Sequence, residues 1–462
     1  MDTPPKQDQE VKSAAQPAPA PQQKSGKNPL MLLVIVLIVA VLGGAFYFLM
    51  GSQKKEQVAA KKEVNALTIY HWWTSPGEAS AMAALVSDFS KQNADVAIMP
   101  APVTGNSVDF HKVLQPMVLN GEAPDSFQGH PGYEIAPYYD SNTLDTVDDI
   151  WKSENLEAVI PKVIQDINKF KGNYYSIPID VHRNNVVWYN KAVLDRASVN
   201  VATLTDWDSF FKACDKIKAA GVQYPIQMGQ TWTATHVFET IIASQGPQFY
   251  QDWANGKVTS ATDPRMIKSL EIFKQFLSYT NPDSANTPWD EAVNRVIKGQ
   301  SAFNVMGDWA NGEFKIVGMK YNKDYGTFPV PGTVGEYVLT VDTFVQPKGT
   351  SHPTNSEKWL KVVASKEGQD AFNPKKGSIS PRSDSDVTLY DDYQKSAIAD
   401  FKSAKYFLPS RGTSLPVSYV SGIDGILVTF MADKDVNKAS KAFADLTQSS
   451  QKDFITTWAF VQ

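Results

Sequence analysis

From residue 67 onward, short runs of β character alternate with amphipathic helical patterns, and that alternation restricts the chain to an α/β architecture. Residues 67–70 read as a strand, and 79–92 as a helix in which Met82, Leu85, Val86 and Phe89 recur at helical spacing. Residues 94–100 are the next predicted strand, 110–119 the next helix, and 125–128 a third strand after the turn signal at 121–124. A βαβαβ order demands a mostly parallel sheet, and such sheets carry ligand chemistry at the carboxyl ends of their strands. Trp72, Trp73, Gln128 and His130 all fall at such ends.

A second α/β section begins at 179–189 and runs through predicted helices at 207–220 and 264–279 and a strand at 302–306. After the turn-rich stretch 329–335, residues 337–345 read as one apolar strand, 356–364 and 366–372 as helices, and 437–446 as the last helical pattern. No internal repeat is visible.

Ahead of the α/β region lie three dissimilar stretches. Residues 1–29 are polar and proline-rich, and bury too little apolar surface to offset their ordering entropy. Residues 30–50 form an uncharged run rich in Leu, Val and Ile, long enough to cross about 30 Å of hydrocarbon as a helix. A cleaved signal peptide is the competing reading; the length of the run and of the tail before it favours an uncleaved transmembrane anchor. Residues 51–66 read as a solvated spacer, and lysines flank the run on both sides, so charge does not set its orientation.

With 44 basic and 49 acidic residues the net charge is -5, which leaves no electrostatic footprint for nucleic acid. The only cysteine, Cys214, excludes an intrachain disulfide, a thiolate metal cluster and a CxxC redox pair. Catalytic signatures fail in turn. His236 and Glu239 lack the second histidine of HExxH, no phosphate-binding GxxxxGK[ST] loop occurs, and Gly412 to Pro416 ends in proline where a nucleophile elbow needs glycine. The calcium-loop beginning at Asp140 breaks at Leu144 and Asp145, and no two histidines pair at metal spacing. No cofactor or metal is expected.

What remains is a set of polar groups beside aromatic ones. Trp72 and Trp73 can give a cleft a flat apolar wall with N–H donors, which suits a pyranose face rimmed by hydroxyls; a pair of core tryptophans is the alternative. Asp308 and Trp309 follow a β-run directly, Asp308 as a ligand or as the cap of the next helix, Trp309 as a lining of the crevice.

The segments His71-Trp72-Trp73, 125–130, 179–186 and 303–310, with 365–370 and 373–378, resemble the solute-binding components of sugar ABC transporters, in particular the glucose- and mannose-type proteins. The likeness runs collinearly from residue 67 to the end. It implies a periplasmic-binding-protein-like fold of two α/β lobes, 67–178 with 335–372 and 179–334 with 373–462, that close on one monosaccharide and deliver it to an ABC permease. The implied sugar-binding residues are Trp72, Trp73, Glu78, Gln128 and His130, completed by Trp289, Trp309, Asp342 and Lys376. His182, Asn185, Asp308 and Arg411 form a second set that supports the site or bonds sugar directly. Without the resemblance, Trp289 reads as a docked aromatic at a helix start, Lys376 as a solvated lysine and Asp342 as a strand-end acid. Arg411 stands where close relatives carry histidine, and the segment 74–78 is one residue longer than in some of them. The resemblance implies an extracytoplasmic, non-enzymatic receptor for glucose or a close epimer, and the apolar run 30–50 adds the membrane anchor. A glycoside hydrolase using Glu78, Asp308 and Asp342, or a binder of an oligosaccharide or another small polar solute, is the rival.

Overall fold

A computed structural model of the chain describes residues 65–455. The expected tail, membrane span and spacer lie outside them up to residue 64. Among the described residues no helix is long and apolar enough to cross a membrane.

Two sheets centre two α/β lobes. In the first, strands β1 (Ala66–His71), β2 (Ala97–Pro102) and β3 (Ser126–Gly129) pair in parallel through β1, linked by helices α1 (Pro76–Gln92) and α2 (Ser107–Leu119). This is the βαβαβ order the periodicity predicts. The sheet is extended antiparallel by two later strands, β4 (Ile177–Pro178) and β11 (Thr343–Val345), in the order β2-β1-β3-β11-β4. Strand β5 (His182–Arg183) belongs elsewhere, and β6 (Val186–Asn190) opens the second lobe. There β7 (Ile226–Gln227), β8 (Phe303–Val305) and β9 (Tyr325–Pro329) complete the order β9-β6-β8-β7. A third sheet joins β5 to β10 (Glu336–Thr340) and β12 (Tyr406–Pro409).

The predicted strand 337–345 is therefore two strands. β10 and β11 belong to different sheets, and the chain crosses between them at Val341 and Asp342. A second crossing, 179–181, runs beside it. Ile179 N–H donates to the Asp342 carbonyl at 3.0 Å, and Asp342 N–H donates to Asp180 Oδ1 at 3.0 Å. A third passes close by, where Val181 bridges Ile379. Residues set on these paired crossings are held by hydrogen bonds to the neighbouring crossing rather than by loop conformation.

One apolar cluster joins Leu67, Ile69, Leu85, Phe89, Phe344 and Trp359 of the first lobe to Val186, Trp188, Phe314 and Tyr325 of the second, and another gathers around Phe210, Phe238, Phe273 and Phe303. Cys214 lies fully buried in the latter, where burial pushes its thiol well above the ordinary range.

Candidate functional site

The strand ends and crossings converge on one cavity of about 220 Å³, several times the ~30 Å³ that one water fills in the liquid. Its walls are aromatic. Trp72 follows β1, half-buried, with its ring edge-on to Phe110 at 5.2 Å and to His130 at 5.2 Å. Trp309 follows β8, and the second lobe adds Trp289 at the first turn of the helix Trp289–Ile297. Trp73 is only 1% exposed, wedged against Phe344 and Phe372, so it lines the cavity while serving as core. The two rings of the pair thus differ, Trp73 buried in the core and Trp72 half-buried, and both face the cavity.

The floor is ionic. Glu78 is the third residue of α1, and its Oε2 lies 3.4 Å from the Ser75 backbone N–H in a capping box. Its Oε1 accepts from Lys376 Nζ at 3.0 Å, and that ammonium lies 5.5 Å from the centre of the Trp73 ring. Lys376 is 2% exposed, the opposite of the solvated lysine its sequence context suggests. Burial pulls its pKa down, but Glu78, Asp342 and Asp180 outweigh this and leave it raised. Asp342, in the crossing, has Oδ1 within 3.0 Å of Gln128 Nε2 and 3.3 Å of His130 Nε2. Against the cost of burial, hydrogen bonds from His130 and His182 hold its carboxyl well below the usual range.

His182 is enclosed by carboxylates: Asp308 at Nδ1, Asp180 Oδ2 at 3.2 Å and Asp342 Oδ2 at 3.6 Å from Nε2. Burial disfavours its charge, yet Asp180 and Asp308 raise its pKa well above the ordinary value. Asp180, His182 and Asp342 place potential metal-ligand atoms within 4.8 Å of one another, a grouping that no sequence spacing discloses. The imidazolium and the nearby Lys376 ammonium already supply this triangle with cations, so its chemistry is that of an ion-pair network.

Trp72, Trp73, Glu78, His130, His182, Trp289, Trp309, Asp342, Lys376 and Arg411 all line the cavity. Gln128, Asn185 and Asp308 do not. Gln128 lies behind the wall, with its amide oxygen on Trp72 N–H at 3.1 Å and its nitrogen on Asp342. Asn185 faces away, donating to Thr333 and to the Glu336 carbonyl. Asp308 caps no helix; it accepts from Arg183 N–H at 3.1 Å and anchors His182. Arg411 is spent on Glu239, which is fully buried and accepts both its guanidinium at 2.8 Å and its backbone N–H at 2.5 Å. The arginine departure therefore adds a compensated charge to the wall.

Sequence reasoning missed Trp232, His236 and Glu134 in the lining. Trp232 lies five residues beyond β7, its ring 6.3 Å from Trp309. The strand-end rule that selected Trp309 selects it too. His236 packs edge-on to Trp309 at 5.6 Å, and burial, aided by Arg411, lowers its pKa to about 3, so it is neutral.

Residues 72–370 match the family of bacterial extracellular solute-binding proteins. An ABC transporter extracellular-binding protein of Pyrococcus horikoshii is 41% identical over 85% of this chain and 89% of its own length. A probable sugar-binding periplasmic protein of Brucella melitensis is 31% identical over 77% of this chain and 83% of its own. Among solved structures, the bacterial solute receptor AcbH, described as having an exclusive preference for β-D-galactopyranose, superposes with a TM-score of 0.74. It covers 84% of this chain and 99% of its own at 17% identity, a likeness of fold.

Proposed function

The chain belongs to the bacterial extracellular solute-binding protein family, and on that premise we propose that it captures a monosaccharide, glucose or a close epimer, for an ABC permease. The observation that carries this reading is the cavity's pairing of half-buried indoles with a buried ionic floor. Indoles cover the apolar faces of a pyranose, while carboxylates and the Lys376 ammonium satisfy its hydroxyls. The names of relatives agree with a sugar. Trp72, Trp73, Glu78, His130, Trp289, Trp309, Asp342 and Lys376 form the cage in this reading, with Gln128, Asp308 and His182 bracing it and Arg411 on its rim.

The lobes are taken as 67–178 with 335–372 and 179–334 with 373–462. Under that division the sheet of β5, β10 and β12 draws strands from both, and the crossings beside it are the hinge. A ligand that touches both lobes favours the closed form by its differential contacts, and the closed form is what a permease would read. In the proposal residues 30–50 anchor the receptor in the membrane with the folded domain outside the cytoplasm. The intact mass of protein extracted from native membranes tests that anchor: a chain lacking residues 30–50 refutes it.

The ionic floor suits binding better than hydrolysis. A glycosidase needs a carboxyl held protonated near neutral pH facing the bond it cleaves. Asp342 is instead held well below the usual range, and Glu78 is on Lys376. Calorimetry with glucose, mannose, galactose, maltose and amino acids tests the proposal. Binding of a hexose with Kd of order 1 µM, about -8 kcal/mol, is expected; failure of every hexose, or sustained turnover of aryl glycosides, overturns it.

A further inference from the structure

His130 stands between two carboxylates that come from distant parts of the chain. Its Nδ1 lies 2.9 Å from Glu134 Oε2, in the turn after β3, and its Nε2 lies 3.3 Å from Asp342 Oδ1, in the crossing between β10 and β11. Ionised carboxylates only accept, so both ring nitrogens carry hydrogen and the ring is an imidazolium. It has no lone pair for a sugar hydroxyl; Nδ1–H is hydrogen-bonded to Glu134, and Nε2 stands at ion-pair distance from Asp342. Glu134 Oε1 in turn accepts from the His130 backbone N–H at 3.0 Å and lies 3.1 Å from His111 Nε2, whose other nitrogen is 2.7 Å from the Tyr138 hydroxyl. Gly412 covers the pair. A Cβ there would meet His130 Nδ1 at 3.1 Å and Glu134 Oε2 at 3.3 Å, so the absence of a side chain is what lets the loop close over them.

We infer that Glu134 is a positioning residue for the ligand: by holding His130 as the cation between the two carboxylates, it fixes Asp342 at the cavity wall. The inference rests on the sugar-binding reading of that cavity. It moves His130 from a direct hydroxyl partner to the link between Glu134 and the acid that meets the ligand. The groups facing His130 are Glu134 from its own turn, Asp342 from the crossing and the Trp72 edge from the end of β1, with His111 of α2 behind Glu134. Behind Asp342 stand His182, Asp180 and Lys376, and Arg411 beside Gly412 is turned onto Glu239. Burial pulls the His130 pKa down, but the charges and hydrogen bonds of Glu134 and Asp342 outweigh it and raise it to about 10.

Glu134→Gln in the full chain is the test, because it keeps the shape and one acceptor for the backbone N–H but removes the charge. Wild-type hexose affinity should be flat from about pH 6 to 8, on either side of the ordinary histidine value. The variant should lose at least tenfold at pH 8 and recover most of it at pH 6, where the imidazolium re-forms; Glu134→Asp should restore the flat profile. Nitrogen-15 histidine spectra of the sugar-free protein give an independent readout, with both His130 nitrogens protonated at pH 8 in wild type and not in Glu134→Gln. Wild-type affinity at both pH values, or an equal loss at both with an unchanged His130 spectrum, overturns the inference. If wild type binds no hexose, the sugar reading fails by itself, and a neutral His130 at pH 8 in that protein defeats the charge relay separately.

Discussion

The aromatic walls and the ionic floor of the cavity meet the same space in opposite states. Trp72, Trp289 and Trp309 are half-buried and keep part of each ring open, whereas His182, Asp342 and Lys376 are at most 4% exposed and already paired, His182 with Asp308 and Asp342, and Lys376 with Glu78. A wall of this kind gains its burial only when a ligand covers it, so its contribution belongs to binding. The floor has met its desolvation cost during folding, and its charges are tied to paired chain crossings. Affinity is therefore separable from stability at the walls and coupled to it at the floor.

The largest expected effect breaks the floor. Asp342→Asn leaves His130 and His182 without their shared carboxylate, and stranding buried charges in this way costs about 3 kcal/mol or more of stability. Hexose affinity should fall at least a hundredfold, about 2.7 kcal/mol, in the same protein. Chemical denaturation and calorimetry run side by side check the coupling; a variant that loses affinity with its denaturation midpoint unmoved would dissolve the distinction between the regions. The next effect probes a wall. Trp309→Ala should weaken binding at least tenfold, about 1.4 kcal/mol, and leave a cooperative melt close to wild type. A large drop in its melting temperature would make the wall part of the core, as Trp73 already is.

The same contrast explains what could be read from the chain. Alternating β and helical periods are local, so β1, α1, β2, α2 and β3 were legible within a few residues. Tyr337, Val338, Leu339, Val341, Phe344 and Val345 form an apolar pattern interrupted only at Thr340, Asp342 and Thr343, and a single acid within it does not mark a change of sheet. That break is set by pairing with β3 and β4 on one side and β5 and β12 on the other, segments more than sixty residues away. Trp72 and Trp309 follow a local rule, an aromatic just past a strand end, and were found that way; Trp289 came through the resemblance, and Trp232 was missed because the rule was not applied to it. Floor contacts join residues distant in sequence, such as Glu78 with Lys376 and His182 with Asp308, and no reading of the chain paired them. Strand-end position and resemblance named residues without their partners, which is why Gln128, Asn185 and Asp308 were placed at the ligand and Glu134 was absent.

Between these mutations and the smallest effect lies pH. The His130 pKa is raised from the ordinary 6.5 to about 10, so its contribution to stability is fully present below pH 6.5 and is lost as pH rises through 10. The melting temperature should therefore fall between about pH 7 and 10. Trp309→Ala should show the same alkaline slope, because indoles do not titrate, and Asp342→Asn should show a shallower one because a source of the shift is gone. Equal slopes in all three proteins would remove the ionic floor as the origin of the alkaline loss.

The smallest effect sets the scale on which the others are judged. Lys361 and Glu357 form an ion pair at 2.7 Å on the helix Pro353–Ala364, with side chains 44% and 51% exposed, and neither lines the cavity. Exposed pairs of this spacing contribute about 0.3–0.5 kcal/mol and are screened by salt. Lys361→Ala should leave hexose affinity unchanged and shift the denaturation midpoint by no more than that, with the shift fading at high salt. By distance alone this pair is as well formed as Lys376 with Glu78 at 3.0 Å, so a similar response to Lys376→Ala would show that burial confers no special status on the floor. The expected response is instead a loss of both affinity and stability, since removal of Lys376 leaves Glu78 buried without its cation.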